Sequence, residues 1–310
     1  MRGCCPVCRR MSIVSVAFFV SWNAASVIAS GEPSSVKTQR LWLPSDCTSK
    51  TKQPGMLFAC IRGERFDGHT AAKDVLERGA AAVLADHDLG LGDRQILTED
   101  TRALYGKLCA AWFGHPERKM RFIGVTGTNG KTTITNLIKH ILTENGHKVG
   151  LIGTIQNMIG DKVLDTERTT PESFELQALF AKMRDAGCTV VAMEVSSHAL
   201  DLRRTWDTDF AVTAFTNLTQ DHLDYHHTFD DYFEAKALLF SKDYPARRVI
   251  SIDGSWGREL LRRCTAAGDE VITTGFDVSA QIHPVEVTYE AARTKAVLEV
   301  RGTRIAVEYP

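Results

Sequence analysis

The segment Gly124-Val-Thr-Gly127-Thr-Asn-Gly130-Lys131-Thr132-Thr133 constrains this chain more than any other stretch. It follows an apolar run at 122–126 that reads as a strand. It precedes a helix expected over 133–144, where Ile134, Leu137, Ile138, Ile141 and Leu142 recur at helical spacing as one apolar face. Glycines allow backbone N–H groups to approach a phosphate chain with no Cβ between them, and the following helix adds its positive end. Lys131 offers a cation to outer phosphates, and the Thr132 hydroxyl offers a ligand for Mg²⁺. Gly127, Thr128, Asn129, Gly130, Lys131, Thr132 and Thr133 are therefore the expected nucleotide-binding residues. The general phosphate-loop pattern has glycine five residues before Gly130. Here that position is Val125, so the loop is a variant opening on Gly127.

A strand feeding such a loop belongs to a parallel sheet, and the rest of the chain agrees. Buried strands are expected at 149–152, 188–193, 210–215 and 248–252, with helices at 173–185 and 229–241 between some of them. Past residue 283 the apolar pattern changes to period two, as antiparallel strands joined at Arg301-Gly302. Upstream, strands at 56–61 and 80–85 and helices at 71–78 and 101–113 outline a smaller α/β unit, with Gly79 stopping the first helix and Gly114-His115-Pro116 as a hinge. The expected fold class is α/β: an atypical leader (1–40), a small N-terminal α/β domain (41–117), then a P-loop central domain (118–310) with a mostly parallel sheet and a C-terminal antiparallel extension. The period-two pattern still runs when the chain stops at Pro310, which reads as an interruption.

A net charge of -1 over 310 residues supplies no field to draw a polyanion, so neither nucleic acid nor a stable membrane association is expected. Cys5-Pro-Val-Cys8 has the spacing of half a zinc site, but no second pair completes it, and the other cysteines read as reduced thiols. Arg9-Arg10 before an apolar run at 11–29 has the layout of a secretory signal, interrupted by Ser21, Trp22 and Asn23. A start placed too far upstream, or an unusual opening to the first domain, are the plainer accounts. The ATP chemistry downstream favours the cytoplasm.

Two further clusters fall at strand ends, the edge where open α/β sheets bind ligands. The strand at 188–193 delivers Glu194-Val-Ser196-Ser197-His198, with Glu194 placed to hold Mg²⁺ near the phosphates. The strand at 210–215 delivers a dense polar run from Thr216 to His227, a second candidate metal or phosphate site. Tyr232 and Lys236 lie four apart on the next helix and share a face. By its residue type alone Lys236 is an ordinary helical lysine.

With these motifs in place the sequence resembles the Mur ligases, and among them the MurE type. Gly127-Thr-Asn-Gly-Lys-Thr-Thr133 looks like the family's nucleotide loop. Thr169-Thr170-Pro171-Glu172, Glu194-Val-Ser-Ser-His198, Phe215-Thr-Asn-Leu218 and Asp221-His-Leu-Asp-Tyr-His226 match further family blocks in order and spacing. Tyr232-Phe-Glu-Ala-Lys236 resembles the segment whose lysine is carbamylated. Pro54-Gly55, Gly63-Glu64, Phe66-Asp67-Gly68-His69 and Gly79-Ala80 resemble the first domain of the MurE type.

The resemblance implies an ATP-dependent ligase of peptidoglycan precursor synthesis. It would join the D-Glu of UDP-MurNAc-L-Ala-D-Glu to a diamino acid through an acyl phosphate. Thr132 and Glu194 would hold one Mg²⁺, and His222 with the carbamate on Lys236 a second. Lys131, Glu194, His222 and Lys236 would form the catalytic set. Thr169, Thr170, Ser196 and Arg204 would hold the muramyl dipeptide, and Ser49 would sit near the uridine.

The chain departs from the family at Thr48-Ser49-Lys50, where members often read Asp-Ser-Arg, and at Leu202, often Gln. The first ~40 residues match no family segment. The family's third domain, which carries an Asp-Asn-Pro-Arg motif and the amino-acid pocket, has no counterpart here, leaving diaminopimelate, lysine and ornithine open. A sibling amide ligase (another Mur ligase or a folylpolyglutamate synthetase) and a non-catalytic nucleotide-binding fragment are the rival readings.

Overall fold

The computed structural model describes residues 55–63, 66–166, 168–221, 223–290 and 293–309. The leader, Ser49 and His222 lie outside the described residues. The chain divides into two compact units, the first ending at Trp112 and the second beginning at Phe113.

In the first unit β1 (Leu57–Ala59), β2 (Ala82–Ala85) and β3 (Gln95–Leu97) form a three-stranded parallel sheet in the order β1-β2-β3. Helix α1 (Ala72–Glu77) follows a 3₁₀ turn at Gly68–Ala71 that Asp67 caps, and α2 (Thr101–Trp112) closes the unit. Phe58, Cys60, Val75, Leu76, Val83 and Ala85 pack between sheet and helix.

The second unit is built on one eleven-stranded sheet. Its elements are β4 (Arg121–Thr126), α3 (Lys131–Glu144), β5 (Val149–Ile152), β6 (Asn157–Ile159), β7 (Lys162–Leu164), α4 (Ser173–Asp185), β8 (Val190–Glu194), α5 (Ser197–Asp201) and β9 (Phe210–Phe215). Then come α6 (Leu223–His226), α7 (Phe229–Ala237), β10 (Arg247–Ser251), α8 (Ser255–Ala266), β11 (Val271–Thr274), β12 (Ile282–Tyr289), β13 (Thr294–Val300) and β14 (Thr303–Tyr309). The strand order is β14-β13-β12-β11-β10-β9-β4-β8-β5-β6-β7. Pairing is parallel from β12 to β5 and antiparallel at both margins. The fold is thus α/β with a mostly parallel central sheet and an antiparallel C-terminal extension.

Every residue of β5 and of β8 is buried, as expected for strands covered on both faces. Phe122, Phe180, Met183, Val191, Met193, Phe210, Phe215 and Phe233 form the core around them. A cation is buried with them. The Arg248 guanidinium is 1% exposed and donates through Nη1 to the carbonyls of Tyr244 (2.6 Å) and Leu239 (3.2 Å), and through Nη2 to that of Ser241 (3.0 Å). These bonds tie the turn after α7 to β10.

Several expectations change. The helix expected to 241 ends at Ala237 and continues as a 3₁₀ turn, Leu238–Phe240. The apolar stripe of α3 does not bury as one face, because Leu137 and Ile141 are 48% and 57% exposed while Thr135 is fully buried. Ile134, Ile138 and Leu142, four apart, are partly covered, whereas Leu137 and Ile141 fall on the next flank. The sequence reading has no counterpart for β3, the β6–β7 hairpin at the far margin, α5, α6, α8 and β11.

Candidate functional site: a phosphate cradle at the carboxyl edge of the sheet

Strands β4, β8 and β9 lie side by side in the middle of the sheet, with Val125 opposite Glu194 and Thr126 opposite Phe215. Their carboxyl ends are therefore level, and the loops that follow them meet at one place. The chain reverses its direction of travel across the sheet here, the position at which open α/β folds leave a crevice.

Gly127 begins the loop after β4 with φ 144°. A Cβ built there would lie 1.9 Å from Thr216 Oγ1, so only glycine lets the loop pass this close to the end of β9. Hydrogen bonds across that contact fix the loop. Thr128 N–H donates to Asn217 O (2.9 Å), Asn129 N–H to Asn217 Oδ1 (3.0 Å), and the Thr216 hydroxyl to Asn129 O (2.7 Å). The Thr128 hydroxyl accepts from Thr219 N–H at 3.0 Å and lies 3.3 Å from the Tyr232 hydroxyl. The residues expected to bind nucleotide thus form a braced loop leading into α3.

Two lysines converge on it. Lys131 Nζ donates to the carbonyls of Gly127 (2.9 Å) and Thr128 (2.8 Å). Lys236, from α7, is 1% exposed, and its Nζ donates to the same Gly127 carbonyl at 3.0 Å. The Lys236 amine also lies over the Tyr232 ring, 4.3 Å from its centre. Burial, and then the neighbouring charge of Lys131, bring the Lys236 amine down to about 7; Asp221 opposes them. Burial lowers Lys131 as well, against the pull of Glu194 and Asp221. Residue type alone left Lys236 an ordinary helical lysine; its side chain is buried and points inward, to the loop.

Glu194 ends β8 with its carboxylate 1% exposed and three donors on it. The Thr132 hydroxyl donates to Oε1 (2.9 Å), Thr154 N–H to Oε1 (2.9 Å), and the Thr154 hydroxyl to Oε2 (3.0 Å). Gly153 permits this, because a Cβ there would stand 2.5 Å from Glu194 Oε1. From Thr154 the bonding continues to Thr169, whose hydroxyl is 3.0 Å from that of Thr154. Thr170, fully buried, donates to Glu194 O (3.0 Å) and accepts from Ser196 N–H (3.1 Å). Arg204 donates to Thr170 O at 3.3 Å and pairs with Glu172 at 2.7 Å, while its buried Nε has no hydrogen-bond partner among the described residues. Thr169, Thr170, Ser196 and Arg204, expected together, form a shelf beside the cradle. Thr154 was missed; it follows a buried strand as Gly153-Thr154, the signal that singled out Glu194.

The described members of the polar run after β9 separate. His226 is buried, its Nε2 2.9 Å from Ser197 Oγ, and its ring packs against those of Tyr225, His198 and Tyr232. His227 is exposed in a left-handed turn, φ 62°. Asp221 is the described member whose charge reaches the two lysines.

The sheet order, the variant glycine loop and the lysine that follows it define a P-loop type of α/β domain. Residues 125–310 match the Mur ligase middle domain, and residues 46–110 match the Mur ligase family catalytic domain. The chain belongs to the Mur ligase family. It is 44% identical over 227 residues to the UDP-N-acetylmuramoyl-L-alanyl-D-glutamate--2,6-diaminopimelate ligase of Aquifex aeolicus, a match covering 73% of this chain and 46% of that protein. A solved structure of a ligase of the same name superposes with a TM-score of 0.72 at 27% identity, covering 82% of this chain and 53% of the other. MurF of Thermotoga maritima, solved in complex with ADP, shares the fold at 22% identity with a TM-score of 0.55, over 87% of this chain and 58% of MurF. The chain spans about half the length of the curated relatives it matches.

Among the described residues no helix is long and apolar enough to cross a membrane.

Proposed function

We propose that this chain is the nucleotide- and UDP-substrate-binding part of a MurE-type ligase. In this reading it serves ATP-dependent amide-bond formation between the D-Glu carboxylate of UDP-MurNAc-L-Ala-D-Glu and a diamino acid in the cytoplasm. The relatives' names point to 2,6-diaminopimelate as that amino acid. One observation carries the reading: the braced glycine loop with Lys131 and the Thr169–Thr170–Ser196–Arg204 shelf flank the same buried carboxylate, Glu194.

The residues fit the groups this reaction needs. Oxygens on neighbouring positions of an octahedral Mg²⁺ stand about 3.0 Å apart for bonds of about 2.1 Å. Thr132 Oγ1 and Glu194 Oε1 are 2.9 Å apart, so this pair would hold the ion. When bound, ATP supplies the phosphoryl group that turns the D-Glu carboxylate into an acyl phosphate, and Mg²⁺ neutralises phosphate charge. Lys131 would turn its amine from the loop carbonyls to the outer phosphates, adding a fixed positive charge where negative charge accumulates. Gly127 to Thr133 would hold the phosphates through their backbone N–H groups. The unpartnered Nε of Arg204 gives the shelf a buried donor for an acidic group of the muramyl dipeptide. Ser49 would sit near the uridine.

A carbamate forms when a neutral amine bonds CO₂ and loses a proton, and an amine titrating near 7 meets that condition where an ordinary lysine does not. Lys236 is therefore assigned as the modified residue, and the family resemblance would make it and His222 ligands of a second Mg²⁺.

The second reading is binding of ATP and the UDP-substrate without turnover. One experiment separates the two. The full chain is titrated with ATP and Mg²⁺, then with UDP-MurNAc-L-Ala-D-Glu against other UDP-MurNAc peptides, and phosphate release is followed with diaminopimelate present. Selective binding of the dipeptide substrate supports the MurE assignment, and phosphate release adds catalysis. ATP binding that ignores Lys131→Ala, or no binding at all, overturns it.

A further inference from the structure

A second cluster of metal-ligating side chains lies in the first unit, at the carboxyl end of its small parallel sheet. Residues Asp86 and His87 follow β2, and Asp67 and His69 come from the turn after β1. One ligand atom each of His69, Asp86 and His87 lie within 4.8 Å of one another.

The His69 ring is 5% exposed, and its hydrogen bonding defines its state. Nδ1 is 2.6 Å from Asp67 Oδ1, an oxygen that also accepts the His69 backbone N–H at 3.0 Å. An oxygen already taking the backbone N–H is an acceptor toward the ring as well, so Nδ1 carries the proton. In the neutral ring Nε2 is then a lone pair. That lone pair stands 3.2 Å from Asp86 Oδ1, with no hydrogen-bond partner among the described residues. A lone pair buried against a carboxylate oxygen is repulsive unless a proton or a metal cation lies between them. His87 Nδ1 is 2.5 Å from the same oxygen, and the two imidazoles lie 4.6 Å apart, centre to centre.

We infer that His69, Asp86 and His87 form a binding site for a zinc-class divalent cation, with Asp67 as the positioning residue behind His69. Two imidazoles and a carboxylate are a recurrent ligand set for zinc, with water in the fourth place. A carboxylate holding the far nitrogen of a ligating histidine is the usual outer support of such sites. Tetrahedral ligands on bonds of about 2.0–2.1 Å stand about 3.3 Å apart. The His69–Asp86 spacing of 3.2 Å is already suitable. His87, whose side chain is 48% exposed, has room to retreat from 2.5 Å. Among the described residues Arg62 brings an opposing charge: it lies 3.5 Å from Asp86, and its exposed side chain would swing away.

The test uses the full chain with Cys4, Cys5 and Cys8 changed to serine, in excess Mg²⁺ to fill the nucleotide site. Zn²⁺ is titrated against a chromophoric chelator, and Co²⁺ is used as an absorbing substitute. One equivalent of saturable Zn²⁺ is expected. Affinity should fall at least ~10-fold in His87→Ala and by about 10–100-fold in Asp67→Asn, with loss of the Co²⁺ bands in His87→Ala. His87 is at the surface, so its variant tests the site without testing the fold. Equal Zn²⁺ affinity in the parent and His87→Ala, no saturable binding, or ¹⁵N spectra showing a His69 imidazolium that Zn²⁺ does not displace would each overturn the assignment.

Discussion

Replacing Lys236 with methionine removes the amine and keeps most of the volume. The lysine is 1% exposed and titrates near 7 in the folded chain instead of at its ordinary 10.5. At 1.36 kcal/mol per tenfold, that gap is a cost of about 5 kcal/mol for the charged form in the folded state. Between the two values the unfolded chain binds a proton that the folded chain does not, so stability rises with pH through this window. The cost is full below about 7 and gone above about 10.5. Lys236→Met has no such slope. Against it stands the lost hydrogen bond to Gly127 O, worth about 1 kcal/mol. Urea unfolding of both proteins at pH 6 and pH 9, in CO₂-depleted buffer, reads the difference. The methionine variant should be the more stable at pH 6, and its advantage should shrink by about 2–3 kcal/mol at pH 9. A stability difference that does not change with pH would refute the argument that burial sets the state of this amine.

The remaining outcomes concern other parts of the site and core. With ¹³C-bicarbonate, the parent should show a carbamate resonance in NMR that Lys236→Met lacks. Glu194→Gln sets an amide N–H₂ among three donors, and should cost about 1–3 kcal/mol in thermal unfolding while abolishing the extra ATP stabilisation that Mg²⁺ gives. Gly127→Ala must push Thr216 aside, and calorimetry should find nucleotide affinity at least ~10-fold lower. Arg248→Met leaves three buried carbonyls without their donor and should lower stability by about 3–5 kcal/mol, read from the urea midpoint.

The sequence was most legible where one short-range rule decides the outcome. Residues 149–152, 173–185 and 210–215 were placed to the residue, because unbroken apolar runs and a clean helical period leave little choice. Helix α8 was passed over although Leu260, Leu261 and Cys264 have helical spacing, since Arg258, Arg262 and Arg263 dilute the pattern. The nucleotide loop, Thr132 and Glu194 follow from their positions after strands. What could not be read was convergence. Whether Lys236 faces solvent or Gly127 depends on how α7 packs, and nothing within α7 encodes the distance to a carbonyl 109 positions away. The His69 site was equally silent, because Asp86 and His87 join it only through the pairing of β1 with β2.

The Glu194 carboxylate is a mechanical hub. Oxygen atoms at 2.9–3.0 Å bind it on one side to the first turn of α3 and on the other to Thr154, which in turn touches Thr169. Hydrogen bonds weaken steeply over a few tenths of an ångström, so neither flank can slide far alone. If α3 shifts when its N-terminus takes up a ligand, the segment carrying Thr154 and Thr169 must be dragged along or let go. A single side chain thus sets how independently the two halves of the crevice can move.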